Sequence, residues 1–577
     1  MCTPCRDNEL AIHSDIAPPP AIVVPRAPWP AAKRIVARER ESAHRSIDLI
    51  RSTRPKALGI ALELRRDDGG RLRVGDDPRH ASLEALAIHA PDHDHVVTLE
   101  GPTLTPETLL ELLSALWAPG PDERAPYLVF AHAQVALTIL AERIGDANLP
   151  TRYGCVTTAA TLLGEGADRR RDHRPLDQLV RELLERDLPE SLFGSESGER
   201  LACEAQALLA LMEVFGPQLR ERRLTRVFSF ECELVPAVVA MERVGVGLDA
   251  VGFEQIASGW ERERGELDAL EGRERQQVLD RVARLDKLIS TYRYWARDYA
   301  VGERIHCRLH PLATDTGRFS CSDPNLQQVP GEHTAPGLRA CFVPAKGHAL
   351  IVADYAQIEL RVAAHLAPCE AMREVFRAGR DPHRATAATL AGKPEHAIDD
   401  HERKLAKAVN FGFLFGMGSE RFRSYAKDSY GLELDPQAAS EARDAFFRTF
   451  PGIAAWHRRV RGLARTAERE PITVQTAMGR RRTFPTGSFS YNAALNIPVQ
   501  GTAAEGFKLA MIRLHRELPQ IGGRGVLVVH DEYLAEVPLE RADEGRALVE
   551  RVMIEAMREL VDSIPILVDA RVARHWG

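Results

Sequence analysis

Ala349-Leu350-Ile351-Val352-Ala353-Asp354-Tyr355-Ala356-Gln357-Ile358-Glu359-Leu360-Arg361 is the stretch whose reading decides the fold. Its first five residues form an apolar run suited to a buried strand. Asp354 follows directly, and the residues after it continue with helical spacing. An acid at the end of a buried strand is held rigidly with its carboxylate at the sheet edge, which is the placement a metal site needs. A second run, Gly525-Val526-Leu527-Val528-Val529, leads into His530-Asp531-Glu532 and then into Tyr533-Leu534-Ala535-Glu536-Val537. Two apolar runs around a polar trio predict a hairpin with both acids at the bend. Turn chemistry accounts for Asp531 alone, because Asp favours bends, but not for two adjacent acids after a fully apolar strand. Asp354 and Asp531 together suggest a paired-carboxylate Mg²⁺ site, of the kind in which phosphoryl transfer uses two metals about 3.5–4 Å apart.

Between these acids lies Arg403-Lys404-Leu405-Ala406-Lys407-Ala408-Val409-Asn410-Phe411-Gly412-Phe413-Leu414-Phe415-Gly416. Arg403, Lys407, Phe411 and Phe415 are spaced by four, so on a helix they share one slowly drifting face. Two cations and then two rings in line can neutralise a triphosphate and pack on a sugar or base. The same pattern also fits an amphipathic helix with solvated cations and core phenylalanines; the flanking acids favour the phosphate reading. No Walker-type glycine loop is present, which excludes P-loop chemistry.

At 577 residues the chain predicts two to four domains. Its 44% hydrophobic and 27% charged content is that of a globular protein. No long uncharged apolar run and no signal-like N-terminus occur, so no membrane span is expected and the cytoplasm is the expected compartment. Nine scattered cysteines fit a reducing compartment, and the lone Cys2/Cys5 pair reads as part of a frayed end rather than a metal site. The formal net charge of −6 means that any nucleic-acid contact must rest on a local basic surface.

The fold class expected is α/β (α+β). Residues 1–32, with Pro18-Pro19-Pro20, read as an extended, disordered leader. Residues 33–225 alternate strand-like runs (Leu58–Leu62 and Tyr127–Phe130) with helices, one over Pro175–Glu185 with Pro175 in its first turn and one over Arg200–Phe215. Residues 226–300 are helical and charged, and Glu261–Glu274 reads as a solvated arm.

These residues resemble family A DNA polymerases, the family that includes bacterial DNA polymerase I. Asp354–Arg361, Arg403–Gly416 and His530-Asp531-Glu532 look like the family's three motifs. Thr316-Gly317-Arg318-Phe319-Ser320, Gly479-Arg480-Arg481-Arg482 and Asn496-Ile497-Pro498-Val499-Gln500-Gly501 agree in order. The resemblance covers about residues 226–577 well and the preceding domain weakly. It implies a right-hand fold: thumb 226–300, palm 301–366 and 490–577, and fingers 367–489, after a degenerate RNase H-like exonuclease domain at 33–225.

The activity implied is template-directed extension of a primer 3′-hydroxyl with dNTPs, serving DNA replication and repair. The implied cofactor is two Mg²⁺ ions, with Mn²⁺ able to substitute, and the chain is expected to act as a monomer on primer-template DNA. By resemblance Asp354 and Asp531 hold the metals, with Glu532 in support. Arg403 and Lys407 bind the triphosphate, with Lys407 a proton donor to pyrophosphate. Phe411 packs on the sugar and Glu359 crowds its 2′ position, while Gln357 and Tyr355 join the dNTP site. Arg318 and Gln500 probe the minor groove, where acceptors sit alike in every correct pair. His530, Asn496 and Phe415 contact DNA, Phe415 by stacking on the template base.

Several positions depart from the family. Phe415 stands where Tyr is usual, Asn492 stands where a basic residue is usual, Arg482–Asn496 is short, and so is the thumb arm from Gly252 to Tyr292. Fewer phosphate contacts predict weak DNA binding. At the exonuclease motifs only Glu63 and Glu204 remain, with Ala61 and Ala136 where acids are expected. A two-metal nuclease needs a carboxylate cluster, so no proofreading is expected. A single-subunit RNA polymerase is disfavoured by Glu359 and Phe411, a non-catalytic scaffold by the full catalytic set, and a dedicated exonuclease by the missing acids.

Overall fold

Strand His348–Tyr355 lies inside a four-stranded antiparallel sheet ordered Arg524–Val529, Glu532–Pro538, His348–Tyr355, Val568–Ala573. Leu350, Ile351 and Ala353 are fully buried in it. Burying side chains of this kind stabilises a fold by about 1.5–3 kcal/mol each for Leu and Ile, so a charge at Ile351 would break the core. Helices Tyr491–Glu517 and Ala542–Arg558 pack together and cover the sheet. This computed structural model describes residues 29, 32–67, 77–91, 95–117, 124–164, 175–189, 197–270 and 278–577.

Between the first strand of the sheet and the rest, the chain leaves as a run of helices from Ile358–Leu366 to Pro451–Ala467. Helix Asp400–Leu414 is set by a capping box in which Asp399 accepts from the Glu402 N–H and Glu402 from the Asp399 N–H. It packs between helices Pro382–Ala391 and Ser419–Tyr430. Before the sheet, Ala250–Asp268 and Leu279–Tyr292 pair as a helical arm whose charges satisfy one another, Arg264 to Asp286 at 2.6 Å and Arg281 to Glu263 at 2.6 Å. The arm is therefore solvated outward, as its sequence predicts; residues 271–277 lie outside the described residues.

The N-terminal region is a six-stranded mixed sheet ordered Lys33–Ala37, His95–Glu100, Ala81–His89, Ala57–Arg66, Tyr127–Phe130, Tyr153–Cys155. Both strands expected from the sequence are present, the first extended to ten residues. Helix Ser197–Glu221 packs on the Ala57–Arg66 strand at Gly59, where a Cβ would come within 2.0 Å of the Ala205 carbonyl oxygen. Pro175 caps Leu176–Leu184 rather than entering its first turn. Most of the leader, with Cys2 and Cys5, lies outside the described residues. Of the leader, Trp29 and Ala32 are described, and the Trp29 indole N–H donates to the Asp187 carbonyl at 3.0 Å with Arg186 5.0 Å over its ring.

Candidate active site

The strand ladder places Asp354 directly opposite Glu532 on one side and Asp569 on the other. Cross-strand partners sit about 4.5–5.5 Å apart at Cα, so Asp531, one residue before Glu532, adjoins Asp354. The turn corrects the sequence reading: it holds only His530 and Asp531, with His530 at φ +58°, and Glu532 already starts the second strand. The shift matters because a strand position fixes Glu532 in register, whereas Asp531 projects from the bend.

Asp354 opens to the cleft yet loses much of its hydration. Desolvation, then the charges of Asp531, Glu532 and Asp569, push its carboxyl up to about 7. Burial also raises Glu532, opposed by the Trp576 indole N–H, which donates to its carboxylate at 2.9 Å. Trp576 is buried edge-on to Phe342, with the Arg339 guanidinium 4.3 Å over its ring. Arg339 and Arg571 offset part of the negative charge at Glu532, and the carboxylates that remain are donors of the type a hard divalent cation takes. Among the described residues no three His, Cys, Asp or Glu side chains are grouped so as to hold a metal ion by themselves. Mg²⁺ is commonly held this way, by one or two carboxylates, with waters and substrate phosphates completing the shell.

Glu359, in the first turn of helix Ile358–Leu366, gathers two residues that the sequence keeps far apart. Arg318 donates to its Oε1 at 2.5 Å, and the Gln500 amide donates to the same oxygen at 3.0 Å. The approach requires Gly501, where a Cβ would lie 2.4 Å from Thr476 Cγ2 and 3.0 Å from the Thr316 carbonyl oxygen. A buried network braces the same pieces from behind. Lys508 donates to Glu231 at 2.7 and 2.9 Å and to the Pro311 carbonyl at 2.9 Å, and Arg480 donates to Glu231 at 3.1 Å. Glu505 accepts from the Thr476 hydroxyl and from the Met478 N–H at 3.0 Å, and burial pushes its carboxyl up to about 7.

On helix Asp400–Leu414, Arg403 pairs with Asp381 at 2.6 Å, so an anion would have to share or displace that partner. Lys407 is exposed. The buried His383 imidazole is pushed down to about 4 by desolvation, against the pull of Asp381, with Arg403 and Lys407 adding to the depression. Phe411 is half-buried, 5.9 Å from that ring. Phe415 corrects the single-face reading, because the helix ends at Leu414 and Gly416 turns at φ +77°. Phe415 therefore caps the helix, and its carbonyl accepts from Asn492 at 2.7 Å.

Tyr355 is buried and its hydroxyl donates to the Met553 carbonyl at 2.6 Å, which leaves only its main chain for a ligand. Gln357 caps the next helix in a left-handed conformation at φ +54°. Asn496 Oδ1 is shielded without a hydrogen-bond partner among the described residues, and His530 is exposed at the turn. Three contributors escape sequence reasoning: Asp569, Trp576 and the Glu231–Lys508 pair. Each acts through a partner far away in the chain, and no local motif marks it.

The profile of DNA polymerase family A matches residues 246–577. The chain belongs to DNA polymerase family A. It is 38% identical over 344 residues to the thermostable DNA polymerase I of Thermus filiformis, covering 57% of this chain and 40% of that protein. It is 30% identical over 441 residues to DNA polymerase I of Rhizobium leguminosarum, covering 65% of this chain and 42% of that protein. The chain thus spans about two fifths of the length of these relatives. Among solved structures, the POL domain of Pol1 from M. smegmatis, in complex with DNA primer-template and dNTP, aligns with a TM-score of 0.77 at 25% identity, covering 94% of this chain and 99% of that one. The fold is that of a right-hand polymerase domain. Among the described residues no helix is long and apolar enough to cross a membrane.

Proposed function

We propose that this chain is a DNA-directed DNA polymerase that extends a primer 3′-hydroxyl on a template with dNTPs. The observation that carries the reading is the strand register, which sets Asp354 opposite Glu532, with Asp531 next to Glu532 in the adjoining turn and close enough for its charge to raise the Asp354 carboxyl. The likeness to a polymerase domain bound to primer-template and dNTP supports it. Asp354 and Asp531 would hold two Mg²⁺ ions, which when bound polarise the α-phosphate and lower the pKa of the attacking hydroxyl. Glu532, fixed by Trp576, keeps the charge of that cluster in place. Arg403 and Lys407 would neutralise the triphosphate, and Lys407 would give a proton to the leaving pyrophosphate. Phe411 and Glu359 confine the sugar, with Gln357 and the Tyr355 main chain beside them. Arg318 and Gln500, poised on Glu359, read the primer-terminal minor groove. His530, Asn496 and Phe415 contact the DNA. Positioning and electrostatics supply most of the rate.

The domain limits in this reading are thumb 226–300, palm 301–366 and 490–577, fingers 367–489, and a nuclease remnant at 33–225. The remnant lacks proofreading in this reading, because Ala61 and Ala136 are buried apolar side chains at two motif positions. The acid at the third, Glu204, is bound by Arg200 at 2.9 Å, and that arginine also grips Asp177 at 2.8 Å. Glu204 is thus already neutralised by a guanidinium. Primer extension on a defined template, with matched and mispaired 3′ ends, tests both parts. Matched ends should extend with dNTPs and Mg²⁺ and mispaired ends should persist. Inactivity on matched ends refutes the polymerase reading, and removal of the mispaired nucleotide refutes the loss of proofreading.

A further inference from the structure

Helix Pro451–Ala467 buries Ile453, Trp456, His457 and Val460. Its other side carries Arg458, Arg461 and Arg465, three and seven residues from the first, a spacing that aligns them in one stripe. All three are exposed. Among the described residues none of them forms an ion pair; the one hydrogen bond of the stripe runs from Arg461 to the Tyr491 hydroxyl at 3.3 Å. Arg541 with Glu544 and Arg551 with Glu517 sit beside carboxylates, whereas exposed Arg421, Arg448 and Arg459 share the lack of an ion pair among the described residues, so it is the alignment of the three that sets the stripe apart. Unrelieved like charges along one helix face cost stability, and a polyanion is the partner that removes the cost.

The position of the stripe selects the polyanion. The Arg461 guanidinium lies 5.2 Å from the Tyr491 ring centroid, and stacking pre-orders it for a phosphate. Tyr491 opens the helix that carries Asn496 and Gln500, and its neighbour Asn492 is occupied by the Phe415 carbonyl. A Cβ on Gly416 would lie 2.7 Å from the Tyr491 ring. The middle of the stripe therefore lies beside the Phe415–Gly416 turn, next to the ring assigned to the template base, where the template is still unpaired. A cationic groove is the feature that tracks a single-stranded backbone.

We propose that Arg458, Arg461 and Arg465, with Tyr491 ordering the middle one, form a track for the single-stranded template strand ahead of the insertion site. The inference rests on the polymerase reading for its direction along the DNA. The test is fluorescence anisotropy of the full chain on primer-templates that share one duplex and differ only in a short or long 5′ template overhang. The unaltered protein should bind the long overhang several-fold more tightly. Arg461→Gln/Arg465→Gln should abolish that gain and lower the salt slope by about 0.7 for each phosphate no longer neutralised. Its affinity for the short overhang should stay within about twofold, which sets the track apart from general charge loss. Arg458→Gln serves as the second variant if the double one does not fold by thermal melting. Equal binding of both overhangs by the unaltered protein overturns the inference, as does a gain that persists in the variants or one seen only with duplex ahead of the primer. Failure to extend primers while the overhang gain persists would instead remove the polymerase reading and leave a single-strand site.

Discussion

Replacing Glu359 by Ala removes one carboxylate and leaves two donors unmatched. Arg318 loses a bond of 2.5 Å and Gln500 one of 3.0 Å, on a carboxylate that is 13% exposed beside an arginine that is 27% exposed. A hydrogen bond to a charged group contributes about 1.5–3 kcal/mol, and the partial exposure favours the lower half of that range. At about 1.4 kcal/mol per tenfold, a loss near 1.5–2 kcal/mol predicts a fall of about 10- to 30-fold in kcat/KM for dNTPs. The same change opens space at the sugar, so rNTP incorporation should fall less than dNTP incorporation and discrimination should narrow. Glu359→Gln keeps the volume and one acceptor, so it should keep most of the sugar discrimination while weakening the Arg318 contact. Single-nucleotide primer extension with each triphosphate reads both quantities, and thermal melting checks that the fold persists. Unchanged dNTP efficiency together with unchanged rNTP rejection in Glu359→Ala would refute both the steric role and the Arg318–Gln500 coupling.

Asp354→Ala or Asp531→Ala should abolish extension, by at least about a thousandfold, with primer-template affinity within a few-fold by anisotropy; extension at the unaltered rate would remove that acid from the mechanism. Trp576→Phe deletes the N–H that meets Glu532 at 2.9 Å, and a buried acceptor left unmatched costs about 1–3 kcal/mol, readable as a lowered urea midpoint and slower extension. The Glu505 carboxyl, raised by burial to about 7, binds its proton more tightly in the folded chain than in the unfolded one. Its contribution to stability is therefore present below about pH 4.5 and is lost as pH rises through about 7, by about 3 kcal/mol at most. Melting curves at pH 5 and pH 8 should differ less for Glu505→Gln than for the unaltered chain, and an equal difference would refute the raised value.

The strand end at Asp354, the turn at Asp531 and the helix that carries Arg403 and Lys407 were legible because each is announced locally: an apolar run that stops at an acid, or cations and rings repeating every four residues. Element limits were less so. The four-residue spacing runs on through Phe415, but Gly416 in the left-handed region ends the helix one residue earlier, a preference of backbone conformation rather than of hydrophobic period. Tyr355 shows a second limit, since its place beside Asp354 in a motif says nothing of which face of the sheet its ring enters. Asp569 sits on a strand that alternates polar and apolar residues like any half-exposed edge, and only its pairing with Asp354 gives it meaning. Trp576 and Lys508 read as an ordinary terminal aromatic and an ordinary helical lysine until Glu532 and Glu231 are found against them. Periodicity and turn chemistry act over a few residues, so the order of residues alone decides which segments become strand, turn and helix and where an acid will be held stiffly. Register and ion pairing join segments hundreds of residues apart. The folded chain alone therefore decided that Arg318, Glu359 and Gln500 meet, and that Asp354 carries its proton to near neutrality.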